Sequence, residues 1–118
     1  MLNGHSRAIT DVNWATFSPE QLATCGLDGY VHCWDMRAPQ FPVMSFRDWD
    51  AGAIQVKWNR VDENILASTH DRLLHIWDRR KGVTPLKTIL AHERSIRGLD
   101  WNRTRRTIFS EAYPNPHP

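Results

Sequence analysis

Three side chains near the start of the chain are of the types that a hydrolytic enzyme combines in a catalytic triad. His5 supplies an imidazole, Thr24 a hydroxyl and Asp28 a carboxylate, the base, nucleophile and orienting acid of acyl transfer. Trp34 follows Asp28 in the same segment, and neither the chain order nor the spacing is that of a known triad. The role of these side chains therefore has to be inferred from the strands and turns that carry them.

The segment around these side chains is predicted to form four short antiparallel strands. The predicted strands cover residues 8–14, 21–25, 30–34 and 43–46. In the first predicted strand, two sets of side chains alternate with the period of two that a half-buried strand shows. One set is Ala8, Thr10, Val12 and Trp14, and the other is Ile9, Asp11 and Asn13. Asp28-Gly29 is typical of a tight hairpin, because glycine adopts a positive φ without steric cost. The four side chains thus lie before the first strand, on the second, in the hairpin turn and at the end of the third.

The same pattern recurs with a period of about 43 residues. The segment LATCGLDGYVHCWD, which ends at Asp35, is matched by LASTHDRLLHIWD, which ends at Asp78. Trp14, Trp58 and Trp101 follow one another at intervals of 44 and 43 residues. Self-similarity at this period, with Gly-His opening and Trp-Asp closing a unit, is typical of β-propeller blades. On these residues the chain resembles the WD-repeat family.

The resemblance implies an all-β fold with two four-stranded antiparallel WD-repeat propeller blades plus part of a third, an incomplete β-propeller. We expect blades at residues 1–46 and 47–90, a partial blade at 91–109 and a disordered Pro-rich tail at 110–118, where three Pro in five residues oppose a central strand. A propeller closes with roughly four to eight blades, so the chain is expected to be a fragment. Uncovered blade faces and strand edges further predict self-association.

A second implication of the resemblance concerns the polar side chains. In the WD-repeat family a His, a Ser or Thr, an Asp and a Trp form a buried hydrogen-bond tetrad, which satisfies a carboxylate that would be very costly to bury unpaired. The resemblance places this structural tetrad on His5, Thr24, Asp28 and Trp34. The second unit departs from the pattern, because Asp48-Trp49 replaces Gly-His and the segment before its turn is one residue shorter. We therefore expect only a partial tetrad there, in a less rigid blade. Its members would be Ser68, Asp71 and Trp77.

Composition bounds the class of protein. Hydrophobic residues make up 41% of the 118 residues and include six Trp, which is enough for a packed core. No apolar run reaches the roughly 20 residues that span a bilayer, and no signal segment opens the chain, so an intracellular protein is expected, with its two Cys as free thiols. Residues 79–106 carry nine basic and two acidic side chains. This stretch is either a solvated loop surface or a contact for phosphate or an acidic partner.

Neither a metal site nor a nucleic-acid site is indicated. His70, His75, Cys25 and Cys33 lack a Cys-x-x-Cys pair, and His75 has a repeat counterpart in His32. Aromatic stacking on bases needs exposed rings, whereas the Trp residues recur at fixed strand positions, as core residues do. We therefore expect no metal, no cofactor, no catalytic residue and no nucleic-acid partner.

The resulting functional prediction is a non-catalytic protein-interaction scaffold, because neighbouring blades cover the blade faces and leave the rim loops for recognition. The segments AIQVKWNR, LASTHDRLLHIWDRR and LAHERSIRGLDWN also resemble the WD-repeat subunits of SEA (GATOR-type) complexes. This resemblance implies other protein subunits as partners, a place at the vacuolar or lysosomal membrane, and a role in amino-acid signalling to the TOR kinase complex. The residues expected to contact a partner at one rim are Arg7, Leu27, His70 and Arg94.

One motif supports an alternative. Trp34-Asp35-Met36-Arg37 and Trp77-Asp78-Arg79-Arg80 both have the form W-D-x-R. In WD-repeat substrate receptors of cullin-RING ubiquitin ligases, such a box contacts the adaptor. The simpler interpretation is that each Arg pairs with the Asp two residues before it.

Overall fold

The computed structural model describes residues 5–90, 96–101 and 108–112 of the chain, the last two ranges by their backbone. These residues form ten strands, and the described part contains no helix, hence none that could span a membrane. The strands are β1 (Ile9–Trp14), β2 (Gln21–Gly26), β3 (Tyr30–Asp35), β4 (Met44–Arg47), β5 (Gln55–Trp58), β6 (Ile65–His70), β7 (Leu73–Asp78), β8 (Lys87–Leu90), β9 (Ile96–Trp101) and β10 (Ile108–Ala112). The predicted all-β fold is confirmed.

The strands form two antiparallel four-stranded sheets in chain order, β1-β2-β3-β4 and β5-β6-β7-β8. We call them the first and the second sheet. Both have the same register, because Leu22 pairs with Trp14 and Trp34, as Leu66 pairs with Trp58 and Trp77. The sequence repeat is thus a structural repeat.

The third unit contributes a two-stranded sheet of β9 and β10. Ser110, which was expected to belong to a disordered tail, pairs with Leu99 in this sheet. The predicted tail is therefore wrong for residues 110–112, since the strand continues until just before the first of the closing Pro residues. Residues 113–118 lie outside the described part of the chain.

An apolar core joins the first sheet to the second. Its members come from both sheets and are Ala15, Ala23, Cys25, Val31, Cys33, Phe46, Ala53, Val56, Trp58, Leu66 and Trp77. Phe46 stacks on Trp77 with 4.8 Å between ring centroids, and Phe17 meets the edge of Trp58 at 5.2 Å. Phe46, Trp58 and Trp77 are almost fully buried, so their rings stabilise the contact between the sheets.

Two polar side chains of β1 hold the edge of β5. Asp11 Oδ2 accepts a hydrogen bond from Val56 N–H at 3.1 Å, and Asn13 Oδ1 accepts one from Trp58 N–H at 2.9 Å. The Trp58 indole N–H donates to the carbonyl oxygen of Asn13 at 2.9 Å. An edge strand otherwise exposes unpaired N–H groups, so these acceptors both satisfy the edge and fix the register of the second sheet on the first.

Candidate functional site

In the first sheet, the four predicted tetrad residues lie in one chain of hydrogen bonds. His5 Nδ1 donates to Asp28 Oδ1 at 3.1 Å, and His5 Nε2 accepts from the Thr24 hydroxyl at 2.8 Å. The Trp34 indole N–H donates to the same hydroxyl oxygen at 2.8 Å. Since a carboxylate only accepts, the proton on His5 lies on Nδ1. Thr24 is fully buried, so its hydroxyl is closed to a substrate.

The Asp28 carboxylate accepts three hydrogen bonds at the end of the sheet. Besides that from His5, it accepts from Ser6 N–H at 2.9 Å and from Tyr30 N–H at 3.0 Å. Burial raises the pKa of Asp28, but the hydrogen bonds from these three groups outweigh burial, so the pKa lies below its usual value. Asp28 is thus a carboxylate that ties the segment before β1 to the β2–β3 turn.

The second sheet has a corresponding chain built from a different histidine. The Trp77 indole N–H donates to Ser68 Oγ at 2.8 Å, and Ser68 Oγ bonds His70 Nε2 at 2.7 Å. His70 Nδ1 donates to the carbonyl oxygen of Ala51 at 3.2 Å, which leaves Nε2 as the acceptor. His70, at the end of β6, therefore takes the place that His5 has in the first sheet.

The carboxylate beside these hydrogen bonds of the second sheet is that of Asp48, which does not correspond in the repeat to Asp28 of the first sheet. Asp48 Oδ2 accepts from His75 Nε2 at 2.8 Å and lies 3.9 Å from His70 Nδ1, while Asp48 Oδ1 accepts from the N–H groups of Asp50 and Ala51. Burial raises the pKa of Asp48, but the hydrogen bond from His75 and the other neighbours lower it below its usual value.

The expectation of a partial tetrad on Ser68, Asp71 and Trp77 is therefore corrected in two respects. Ser68 and Trp77 are joined, but Asp71 lies exposed in the β6–β7 turn with a φ of 58°. In this shorter turn Asp71 is not part of the buried network, and His70 and Asp48 contribute the imidazole and the carboxylate from other positions. The second sheet therefore has a rearranged polar network in place of the partial tetrad that the sequence pattern predicted.

The buried imidazole of His70 makes stability depend on pH. Burial lowers its pKa from 6.5 to about 4, and its neighbours change this less. The unfolded chain binds this proton more readily, so His70 contributes stability above pH 6.5 that is lost as the pH falls towards 4. We expect a loss of about 1.4 kcal/mol per pH unit in that window. Denaturant titrations of the wild type and His70→Gln between pH 7 and 4.5 will test this, with a flatter profile for the variant; parallel profiles would contradict the assignment.

The rearrangement leaves position 49, where the family pattern has histidine, free to face solvent. Trp49 is 76% exposed, and the Arg47 guanidinium lies 4.0 Å from its ring centroid. The Arg47 guanidinium also lies 4.6 Å from the Tyr30 ring centroid, and its Nε donates to the carbonyl oxygen of Asp28 at 3.1 Å. Trp49 is thus an exposed aromatic side chain on a fixed support.

A groove of about 300 Å³ lies beside Trp49, where the β2–β3 turn meets the β4–β5 connection; we call it the rim groove. It is lined by Ser6, Arg7, Leu27, Asp28, Arg47, Asp48, Trp49, Asp50, Ala51 and Gly52. Gly52 lies so close to the turn that a Cβ there would be 2.8 Å from the carbonyl oxygen of Leu27. Only glycine fits at this position, and the neighbouring Ala53 N–H donates to the carbonyl oxygen of Gly26 at 2.8 Å, which joins the two walls.

The four predicted contact residues have different positions in the structure. Arg7 and Leu27 are exposed and line the rim groove. His70 is fully buried and bonded to Ser68, so its predicted contact with a partner is wrong. Arg94 lies outside the described residues. Trp49 was not predicted, although its place in the Gly-His position was the signal that could have identified it.

The arginines of the two W-D-x-R boxes bind their own aspartates. Arg37 reaches Asp35 through Nε and Nη2, the shorter distance being 2.6 Å, and this side-chain contact lowers the pKa of Asp35 to about 2. Arg80 bonds Asp78 at 2.9 Å and Asp62 at 3.2 Å. These boxes lie at the opposite rim. Within the described residues, no three His, Cys, Asp or Glu side chains are grouped as a metal site would require.

Comparison with known proteins agrees with this architecture. A family model, the WD domain, G-beta repeat, matches residues 1–35. An RWD, RING finger and WD repeat-containing protein of Schizosaccharomyces pombe is 55% identical over 105 residues, which is 87% of this chain and 8% of that protein. Maintenance of telomere capping protein 5 of Saccharomyces cerevisiae is 50% identical over 103 residues, 87% of this chain and 9% of that protein.

GATOR2 complex protein WDR59 of Mus musculus is 41% identical over 111 residues, which is 94% of this chain and 11% of that protein. The chain spans about a tenth of the length of these relatives. The family model, the relatives and the repeated four-stranded sheets agree, and the chain belongs to the WD-repeat family.

Proposed function

We propose that the chain is part of a non-catalytic protein-interaction scaffold, a subunit of a SEA/GATOR-type complex that acts in amino-acid signalling to the TOR kinase complex. The observation that carries the proposal is the similarity to GATOR2 complex protein WDR59 over nearly the whole chain. The buried position of Thr24 supports the non-catalytic part of it. A complex of this kind would place the chain at the periphery of the vacuolar or lysosomal membrane.

The rim groove is the surface that we propose for a partner subunit. Leu27 is 42% exposed on one wall, Trp49 stands on the other, and Arg7 lies at the edge. Aromatic side chains that are rigidly held and exposed contribute most of the binding energy at protein interfaces, because they lose little conformational entropy on binding. The stack on Arg47 provides this rigidity for Trp49.

The role of a cullin-RING ligase receptor is not proposed. That alternative depends on Arg37 and Arg80, and each is already bound to the aspartate of its own box. An internal pair of this kind accounts for the motif without an adaptor.

A tagged protein expressed from its own gene, so that any flanking sequence is retained, will test the proposal. Purification from cells should recover the other subunits of a GATOR2-type complex. In the double variant Leu27→Glu, Trp49→Ala, we expect their recovery to fall at least about tenfold, because a charge and a truncation replace two apolar contacts.

The matched control is Phe41→Ala with Val61→Glu, two exposed apolar residues of the opposite rim, which should leave recovery unchanged. If the wild type recovers no such subunits, the assignment to the complex is wrong. If the rim-groove variant recovers as much as the wild type, the complex stands and the groove is not its contact.

A further inference from the structure

Arg47 lines the rim groove, and its contacts fix the guanidinium group without using all of its donors. The group lies between 4 and 5 Å from the ring centroids of Trp49 and Tyr30, and Nε donates to the carbonyl oxygen of Asp28. Neither Nη1 nor Nη2 has a hydrogen-bond partner among the described residues, and both are accessible to solvent. The Nη–H donors of Arg47 are therefore available to a ligand in the groove.

The accessible charges of the rim groove are mainly positive. Arg7 is exposed there and forms no ion pair with the part of the chain that the structure describes. Asp28 and Asp48 also line the groove, but their side chains are only 1% and 7% exposed, and each already accepts three hydrogen bonds. Among the lining residues, Asp50 alone has an exposed carboxylate. A ligand thus meets two guanidinium groups and one carboxylate.

This arrangement fits a carboxylate better than it fits a phosphate. A guanidinium binds a carboxylate through two parallel hydrogen bonds when the two planar groups face each other. The contacts with Trp49 and Tyr30 restrict the orientation of the Arg47 plane before a ligand arrives, so little conformational entropy is lost on binding. The carboxylates of Asp28 and Asp48 lie close by and would repel the nearly two negative charges of a phosphate group more strongly than the single charge of a carboxylate.

We propose that the rim groove recognises an acidic side chain of a partner subunit, an aspartate or a glutamate, whose carboxylate binds the Nη groups of Arg47. An apolar side chain next to this acid in the partner packs against Leu27 and Trp49. The inference rests on the proposed function, to which it adds the chemistry of the partner at the same groove. Arg7 attracts the same negative charge, so the association weakens as the salt concentration rises.

Charge variants of the tagged protein, expressed from its own gene, will test the proposal by the recovery of co-purifying subunits. Arg47→Gln should lower recovery at least about tenfold, because the neutral amide loses both the charge and the paired hydrogen bonds. Asp50→Asn should not lower it, since a carboxylate ligand gains from the loss of a like charge. Arg37→Gln is the matched control and should recover as the wild type does, because Arg37 is an exposed arginine of the opposite rim.

The possible outcomes separate this inference from the proposed function. A wild type that recovers no subunits would overturn the proposed function and the inference with it. If the wild type recovers them and Arg47→Gln recovers them equally well, only the acidic ligand is excluded. A loss for Asp50→Asn would mean that the groove binds a cation, which also contradicts the inference.

A cross-linking experiment separates ligand binding by Arg47 from its support of Trp49. Arg47→Lys places an amine in the groove, and a carbodiimide joins an amine to a carboxylate in direct contact with it. Treatment before cell lysis should therefore link the new amine to an Asp or Glu of a partner subunit, which mass spectrometry identifies. Val61→Lys, at an exposed position of the opposite rim, should give no such link. Absence of the link from Arg47→Lys, or loss of wild-type recovery after phosphatase treatment, would overturn the proposal.

Discussion

Replacement of Trp77 by alanine is expected to lower the free energy of unfolding by about 3–5 kcal/mol, the largest effect of any single substitution considered. Trp77 is fully buried between the two sheets, stacks on Phe46 and donates its indole N–H to Ser68. Alanine removes the apolar contact, leaves a cavity and deprives the Ser68 hydroxyl of a donor. The loss therefore affects the contact between the sheets and the polar network of the second sheet at the same time.

Equilibrium unfolding in denaturant, followed by far-UV circular dichroism, will measure this effect. Trp77→Phe keeps part of the stack on Phe46 but removes the indole donor, so it should cost less than Trp77→Ala. Trp49→Ala is the matched control, because the same side chain is removed from an exposed position; we expect a change within about 0.5 kcal/mol. Equal losses for Trp77→Ala and Trp49→Ala would show that the two sheets do not pack as described.

The fold could be predicted because the sequence repeat recurs at matching positions of each sheet. Trp14, Trp58 and Trp101 recur at nearly constant spacing, and alternation of side chains fixes which face of each strand is buried. A slip of one residue would turn the buried Trp58 and Trp77 outwards, so one sequence pattern determines the strands, their register and the fold. The end of the last strand was harder to predict, since Pro opposes a strand only where it occurs and not in the residues before it.

The polar network of the second sheet could be predicted only in part, because it depends on distances that the repeat does not encode. The segment between Leu66 and Asp71 is one residue shorter than its counterpart, and Asp71 is an exposed residue with a positive φ in the turn. The sequence shows that the His of the family pattern is absent, but not that His70 would reach Ser68 from within β6. Likewise, Asp48 was recognised only as a departure from Gly, although it binds His75 across 27 positions of sequence.

The second large expected effect is the loss of stability when a network carboxylate is replaced. Comparing Asp28, Asp48 and Asp71 tests whether the family pattern or the structure identifies the important carboxylate of the second sheet. Asp28→Ala should cost about 3 kcal/mol, because it leaves three partly buried N–H groups, those of His5, Ser6 and Tyr30, without their acceptor. Asp48→Ala should cost a similar amount, since it removes the acceptor of His75, Asp50 and Ala51.

Asp71 is the repeat counterpart of Asp28, and the family pattern would give the two residues equal importance. In the structure Asp71 is exposed with a positive φ, a conformation that asparagine adopts readily. Asp71→Asn should therefore change the free energy of unfolding by no more than about 0.5 kcal/mol. Denaturant unfolding of the three variants at pH 7 measures all of these values. A loss for Asp71→Asn as large as that for Asp28→Ala, or a negligible loss for Asp48→Ala, would mean that the second sheet keeps the family network and that His70 and Asp48 do not replace it.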